Sequence, residues 1–194
     1  MTAQDMTAQD VPVTGADGSA GATIRQGWPD DIFDCLREFG VRQVPYVPDG
    51  GHARLISRVH QEPSMRGIAL TSEQEGIAVA AGAWLGGQRA ALLMQSSGVG
   101  NCVNMLSLIK ICKFPLLMLV TMRGEWGEFN PWQVPMGSTT PDALRLMDVQ
   151  VQRADRPDEV GDVVRHAATM AYGGGSAMAV LLSQRLVGAK VFTR

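Results

Sequence analysis

The chain is expected to fold as a single α/β domain, with a mostly parallel sheet of about six strands covered by helices on both faces. Three observations predict this. Helix and strand signals alternate from Trp28 to the end. Two strand segments, Pro115 to Thr121 and Ala177 to Leu182, are almost wholly apolar, the pattern of strands buried on both faces. The length of 194 residues, with 45% apolar and 19% charged residues, suits one packed domain that needs no metal or disulfide staple.

Residues 1 to 24 stand apart. Met1-Thr-Ala-Gln-Asp5 is repeated as Met6-Thr-Ala-Gln-Asp10, followed by a run rich in Gly, Ala and turn formers. Too little apolar surface is present there to offset ordering, so a flexible tail is expected, with residues 25–194 forming the domain.

The elements then follow in order. Pro29 to Phe39 has Pro and acids in its first turn and Gly40 just past its end, a punctuated helix. Gln43 to Val47 is a short strand whose Pro45 is out of place for a central position. After the turn Pro48-Asp-Gly-Gly51, a helix is expected from His52 to His60. Arg66 to Leu70 is a strand and Ser72 to Leu85 a helix. A strand over Arg89 to Met94 leads into the turn Gln95-Ser-Ser-Gly-Val-Gly100, and Asn101 to Lys110 is a helix. Pro115 to Thr121 is a strand, 122–137 a long irregular loop, and Pro141 to Met147 a short helix. Val149 to Gln152, Arg156 to Tyr172 and Ala177 to Leu182 complete the pattern as strand, helix and strand.

Composition excludes several classes. The net charge is −2, which gives no basic field for nucleic acid. The apolar run Phe114 to Val120 is far shorter than the roughly 20 residues a membrane helix needs. Cys35, Cys102 and Cys112 form no CxxC pair, which speaks against a disulfide scaffold or a zinc site. With no secretory signal in view, a reducing cytoplasm is the expected location.

In parallel sheets ligands bind at the carboxyl ends of strands, so the segments 47–52, 70–75, 95–101 and 121–137 are the ones to search. Ser72 is a candidate N-cap with Glu75 as its capping-box partner, and first-turn acids such as Glu73 and Glu75 complement a helix dipole in any case. The many Ala and Gly residues behind them permit close packing against a second helix or chain. The turn at 95–101 lacks both the P-loop and the dinucleotide fingerprints. Its two glycines suit close approach of a ligand to backbone. His52 has two readings of equal standing, a substrate or proton-shuttle group and a solvent-facing helix-start His. Arg123 is a candidate ligand for a sulfonate or phosphonate, or else a surface Arg paired with Glu125. The segment 123–137 carries two Trp and one Phe, so a cover over the site or a partner contact is expected of it.

Taken together, these segments resemble the pyrimidine-binding domain of thiamine-diphosphate enzymes. The resemblance rests on Tyr46-Val-Pro-Asp-Gly-Gly-His52, Glu73-Gln-Glu-Gly76, Ala83-Trp-Leu-Gly-Gly87, Leu93 to Asn104, Arg123-Gly-Glu125 and Asn130 to Gly137. It covers about residues 28 to 190 and is strongest toward the two-subunit decarboxylases of sulfopyruvate, with phosphonopyruvate decarboxylases next. Asn101 directly after Gly100 departs from the general pattern and is shared with that branch.

The resemblance implies that Glu73 hydrogen-bonds N1′ of the cofactor's aminopyrimidine and promotes proton removal from the thiazolium. It implies that Gln95, Ser96, Ser97, Gly98, Gly100 and Asn101 lie against the cofactor, with His52 and Arg123 near a small anionic 2-oxo acid, 3-sulfopyruvate first. The products are the aldehyde and carbon dioxide. The diphosphate is held through Mg2+ by a Gly-Asp-Gly motif with a later Asn. Gly15-Ala-Asp-Gly18 is a poor fragment of this motif, with no Asn before Asn101. The resemblance therefore implies a separate beta subunit carrying that motif, and a homodimer within a hetero-oligomer. Two further readings are a non-catalytic module of the same fold and an unrelated flavodoxin-like nucleotide binder.

Overall fold

A computed structural model describes residues 27–188. The repeated N-terminal segment, expected to be a tail, and the Gly15-Ala-Asp-Gly18 fragment lie outside the described residues. Among the described residues eight α-helices and six strands follow one another as α1 (Trp28–Glu38), β1 (Val41–Tyr46), α2 (Ala53–Gln61), β2 (Arg66–Ala69), α3 (Glu73–Leu85), β3 (Arg89–Gln95), α4 (Ser96–Cys102), α5 (Ser107–Cys112), β4 (Leu116–Thr121), α6 (Val134–Leu146), β5 (Gln150–Ala154), α7 (Val160–Gly174), β6 (Ala177–Leu182) and α8 (Gln184–Val187). The strands form one sheet in the order β2-β1-β3-β4-β6-β5, and every pairing is parallel. The expected class is thus the observed one.

Strand periodicity builds two cores, one on each face. Leu117 and Leu119 of β4, with Leu93 and Val180, pack beneath α1, α2 and α7. Leu116, Met118 and Val120, with Leu92 and Leu181, pack beneath α3 to α6. Every residue of β4 and β6 is buried, which explains their unbroken apolar sequences. On the first face, Asp30 of α1 receives Arg54 and Arg58 of α2 at 2.7 and 2.6 Å, and locks those two helices together. On the second, α3 comes close to the sheet at Gly76, where a Cβ would stand 2.3 Å from Leu92 Cδ1. Only a glycine permits that approach, and it sets the height of Glu73 one turn earlier.

Four local expectations are corrected. β1 is a central strand despite Pro45, lying between β2 and β1's other partner β3 with an irregularity at Val41/Gln43. Pro45 removes one donor, and the two flanking ladders carry the strand. The segment Ser96 to Gly100 is the first turns of a helix that starts immediately after β3, not an open turn. The helix expected over 101–110 is two pieces, α4 and α5. The loop ends at residue 133, because α6 begins at Val134 and runs through Pro141. Pro135 is its first-turn proline; Pro141, expected to open a helix, sits inside one. Pro141 has no N–H for the Gly137 carbonyl, and the neighbouring Thr140 hydroxyl donates back to the Met136 carbonyl at 2.6 Å.

Candidate active site

The carboxyl ends of β1, β3, β4 and β6 bring the searched segments to one edge of the sheet. The strand order reverses there between β1 and β3, the kind of place where parallel sheets open a crevice. A cleft of about 170 Å3 at this edge is lined by Asp49, Gly50, Gly51, Thr121, Arg123 and Val187.

Glu73 is the first residue of α3 and is buried to 8% exposure. Its carboxyl lies on α4. Asn101 Nδ2 donates to Glu73 Oε2 at 2.9 Å. A Cβ on Gly98 would stand 2.4 Å from Glu73 Cγ and 2.5 Å from Oε1, so this position must be glycine for the carboxyl to rest there. The structure therefore brings together Glu73, Gly98 and Asn101, three of the residues singled out from sequence. Gly100 faces the Met136 thioether, 3.2 Å from where a Cβ would be. Beneath them Cys102 is a buried thiol pushed up to about 12, first by burial and then by the Glu73 charge, so it is inert. Glu75 is not a capping-box partner in the expected form. Ser72 makes no side-chain cap bond, and Glu75 Oε2 instead accepts from the Thr71 backbone N–H at 3.0 Å.

A second polar group gathers one strand over. Gln95 Nε2 donates to Asp49 Oδ1 at 3.0 Å, and Ser97 Oγ and Gln133 Nε2 donate to Gln95 Oε1 at 3.0 and 3.1 Å. Thr121 Oγ1 donates to Asp49 Oδ2 at 2.6 Å. Asp49, Thr121 and Gln133 were not singled out as site residues. Asp49 lay in view within a turn, and only the pairing of distant strand ends shows its partners.

Ser96 is fully buried, and its hydroxyl accepts the Arg123 backbone N–H at 3.1 Å, tying α4 to the end of β4. His52 ends the 3-10 turn Gly50–His52 and is 1% exposed, which overturns the solvent-facing reading. Its Nε2 donates to the Leu119 carbonyl at 3.1 Å, so Nδ1 is the bare nitrogen, and it has no partner. Burial lowers the imidazole below its ordinary value against the opposing Asp49 charge. His52 thus sits behind the strand ends as a neutral ring.

Arg123 is also buried, and its partner is Glu128 rather than the expected Glu125. Nε and a terminal nitrogen each reach a carboxylate oxygen of Glu128 at 2.6 Å. Glu125 pairs with Arg153 at 2.7 Å. Gln184, at the start of α8, accepts the N–H groups of Glu125 and Trp126 and donates to Glu128. The segment after β4 is therefore clamped, while Trp126, Phe129 and Trp132 remain 40–71% exposed on it.

Arg123 holds the Glu128 carboxyl at about 2, below its ordinary 4.5, with backbone N–H groups and Gln184 adding to the effect. A depressed folded pKa contributes stability that is present above 4.5 and is lost as pH falls through about 2. Acid titration should therefore loosen the segment around Trp126 within that window. Tryptophan fluorescence of the wild type should change there. Glu128→Gln should remove the transition, and a Glu128→Gln protein with an unaltered acid profile would show that the pair does not anchor the segment.

Among the described residues no group of three or more His, Cys, Asp or Glu is placed to hold a metal. None of the described helices is long and apolar enough to cross a membrane.

The family model for the thiamine pyrophosphate enzyme N-terminal TPP binding domain matches residues 29–131, and the chain belongs to this family. Among curated relatives, it is 34% identical over 152 residues to sulfopyruvate decarboxylase subunit alpha of Methanothermobacter thermautotrophicus, covering 78% of this chain and 92% of that one. The alpha subunit of Methanococcus maripaludis is 32% identical, with 78% and 91% covered. The phosphonopyruvate decarboxylase of Streptomyces viridochromogenes is 40% identical over 122 residues, covering 62% of this chain and 31% of that one. Among solved structures, 2-oxoglutarate:ferredoxin oxidoreductase from Magnetococcus marinus shares the fold, with a TM-score of 0.65 at 12% identity, over 84% of this chain and 29% of that one.

Proposed function

We propose that this chain is the alpha subunit of a two-chain decarboxylase that converts 3-sulfopyruvate to its aldehyde and carbon dioxide. The observation that carries the reading is the Glu73 carboxyl, held by Asn101 and resting on Gly98 where any side chain would exclude it. The cradle fits the cofactor's pyrimidine end, which needs a fixed carboxyl group at one ring nitrogen. When bound, thiamine diphosphate supplies the nucleophilic carbon and the electron sink for loss of carbon dioxide.

Glu73 holds and returns a proton at Oε1 or Oε2, with Asn101 keeping Oε2 in place. Gln95, Ser97, Gly98 and Gly100 line the cofactor, with Ser96 holding α4 behind them. His52 supports the strand ends from behind, and the cleft beside Asp49 and Arg123 receives the 2-oxo acid. Arg123 meets the anion only as part of its pair with Glu128, so the charge opposing a sulfonate comes in part from the partner chain. A beta subunit carrying Gly-Asp-Gly and a later Asn holds Mg2+ and the diphosphate, in a hetero-oligomer built on a homodimer of this chain. The subunit names of the two methanogen relatives support a partner. The protein works in the cytoplasm.

The identity to a phosphonopyruvate decarboxylase favours phosphonopyruvate as the second substrate to test. Co-expression with a beta chain, followed by aldehyde assays on both acids, decides between them. The isolated chain should bind thiamine diphosphate poorly even with Mg2+, and the complex should bind it well. Calorimetry on both samples tests this, and tight binding by the lone chain would refute the divided site.

A further inference from the structure

The polar group around Asp49 has a direction. A carboxylate offers hydrogen-bond acceptors only. Asp49 receives the Gln95 amide on one oxygen and the Thr121 hydroxyl on the other, at 3.0 and 2.6 Å. Gln95 must therefore turn its NH2 toward Asp49 and its carbonyl away. That carbonyl then collects two donors, Ser97 Oγ–H at 3.0 Å and Gln133 Nε2–H at 3.1 Å. The far end of the chain bears the consequence. Gln133 Oε1 is buried without a partner. A buried acceptor left unmade costs about 1–3 kcal/mol, so an arrangement that keeps one is imposed from its other end, at Asp49.

We propose that Asp49 is a positioning residue, which through Gln95 commits the Ser97 proton and so leaves Ser97 Oγ as an acceptor for an N–H donor of the bound cofactor. Ser97 is half-buried and adjoins Gly98, the glycine on which Glu73 rests. An aminopyrimidine carries an exocyclic amine, a donor of the required kind. The inference rests on the cofactor assignment made above. Four segments, the turn after β1, the ends of β3 and β4, and the start of α6, are held in one register by this carboxylate.

The test moves the carboxylate from one end of the chain to the other. Gln133→Glu alone sets a carboxylate oxygen against the Gln95 carbonyl, and should lower Tm and weaken thiamine diphosphate binding by about tenfold. Adding Asp49→Asn lets Gln95 turn over, accepting at position 49 and donating at position 133. Tm should then return to near the wild-type value. Affinity should not, because the reversed Gln95 donates to Ser97 and frees the Ser97 proton outward.

Melting curves are recorded on the full chain, and calorimetry with thiamine diphosphate and Mg2+ on the complex. A double variant no more stable than Gln133→Glu would overturn the directional chain. Recovery of Tm and affinity together would overturn the role of Ser97. Ser97→Ala should weaken binding by about tenfold with Tm unchanged, and unaltered affinity in that variant counts against the proposal as well. A wild-type complex that binds the cofactor but decarboxylates neither acid would sink the proposed function and leave these readouts intact.

Discussion

Glu73→Gln is expected to lower turnover of the complex by about 10²–10⁴-fold, the range for removing a group that transfers a proton in the rate-determining steps. The substitution is nearly isosteric. The amide oxygen can still accept from Asn101, and the side chain can still lie over Gly98, because neither contact needs a charge. Folding and subunit assembly should therefore survive, and the loss should fall on chemistry. Glu75→Gln is the matched control, since that carboxyl caps the Thr71 N–H at an exposed position. It should cost stability of at most about 0.5–2 kcal/mol and little activity. An active Glu73→Gln complex would remove the assignment of this glutamate.

Gly98→Ala should separate activity from stability in the same site. The position is helical, and alanine is the better helix former by roughly 0.5–1 kcal/mol. Against this stands a Cβ placed 2.4 Å from Glu73 Cγ, an overpacking that typically costs about 1–3 kcal/mol. The two effects partly cancel, so the melting temperature should fall only slightly. The carboxyl cannot stay where it is, and displacement of a reacting group by about 1 Å can cost about 10²-fold in rate. Activity should collapse in a folded protein. Gly82→Ala on α3, where a Cβ meets nothing within 4 Å, should leave activity unchanged. Equal rates for Gly98→Ala and the wild type would mean that Glu73 does not need its observed seat.

Much of the architecture was legible because it rests on local pattern. The apolar strands Leu116–Thr121 and Ala177–Leu182 could only be interior strands of a parallel sheet, and they are. Glu73, Gly98 and Asn101 were singled out only through the ordered set of motifs that resembles a family, since each alone reads as an ordinary helix start or turn. The errors came where tertiary contact overrides local preference. Gly98 and Gly100 read as a turn because glycine favours one, yet here they serve close packing inside a helix. Pro141 read as a helix start, and it lies within α6. Arg123 was paired with the nearer Glu125, but the segment folds back so that Glu128 meets it while Glu125 meets Arg153.

The sequence by itself determined the fold class, carried the resemblance to the family and pointed to the carboxyl edge of the sheet as the place to search, since periodicity and short motifs act over a few neighbouring residues. Only the tertiary structure decided the environment of each side chain. Burial of His52 behind β4 and the chain from Asp49 through Gln95 to Gln133 join residues dozens of positions apart, and the fold of the segment after β4 decides which nearby acid Arg123 meets. Such partners are chosen by how strands and helices stack, and no local pattern records that choice.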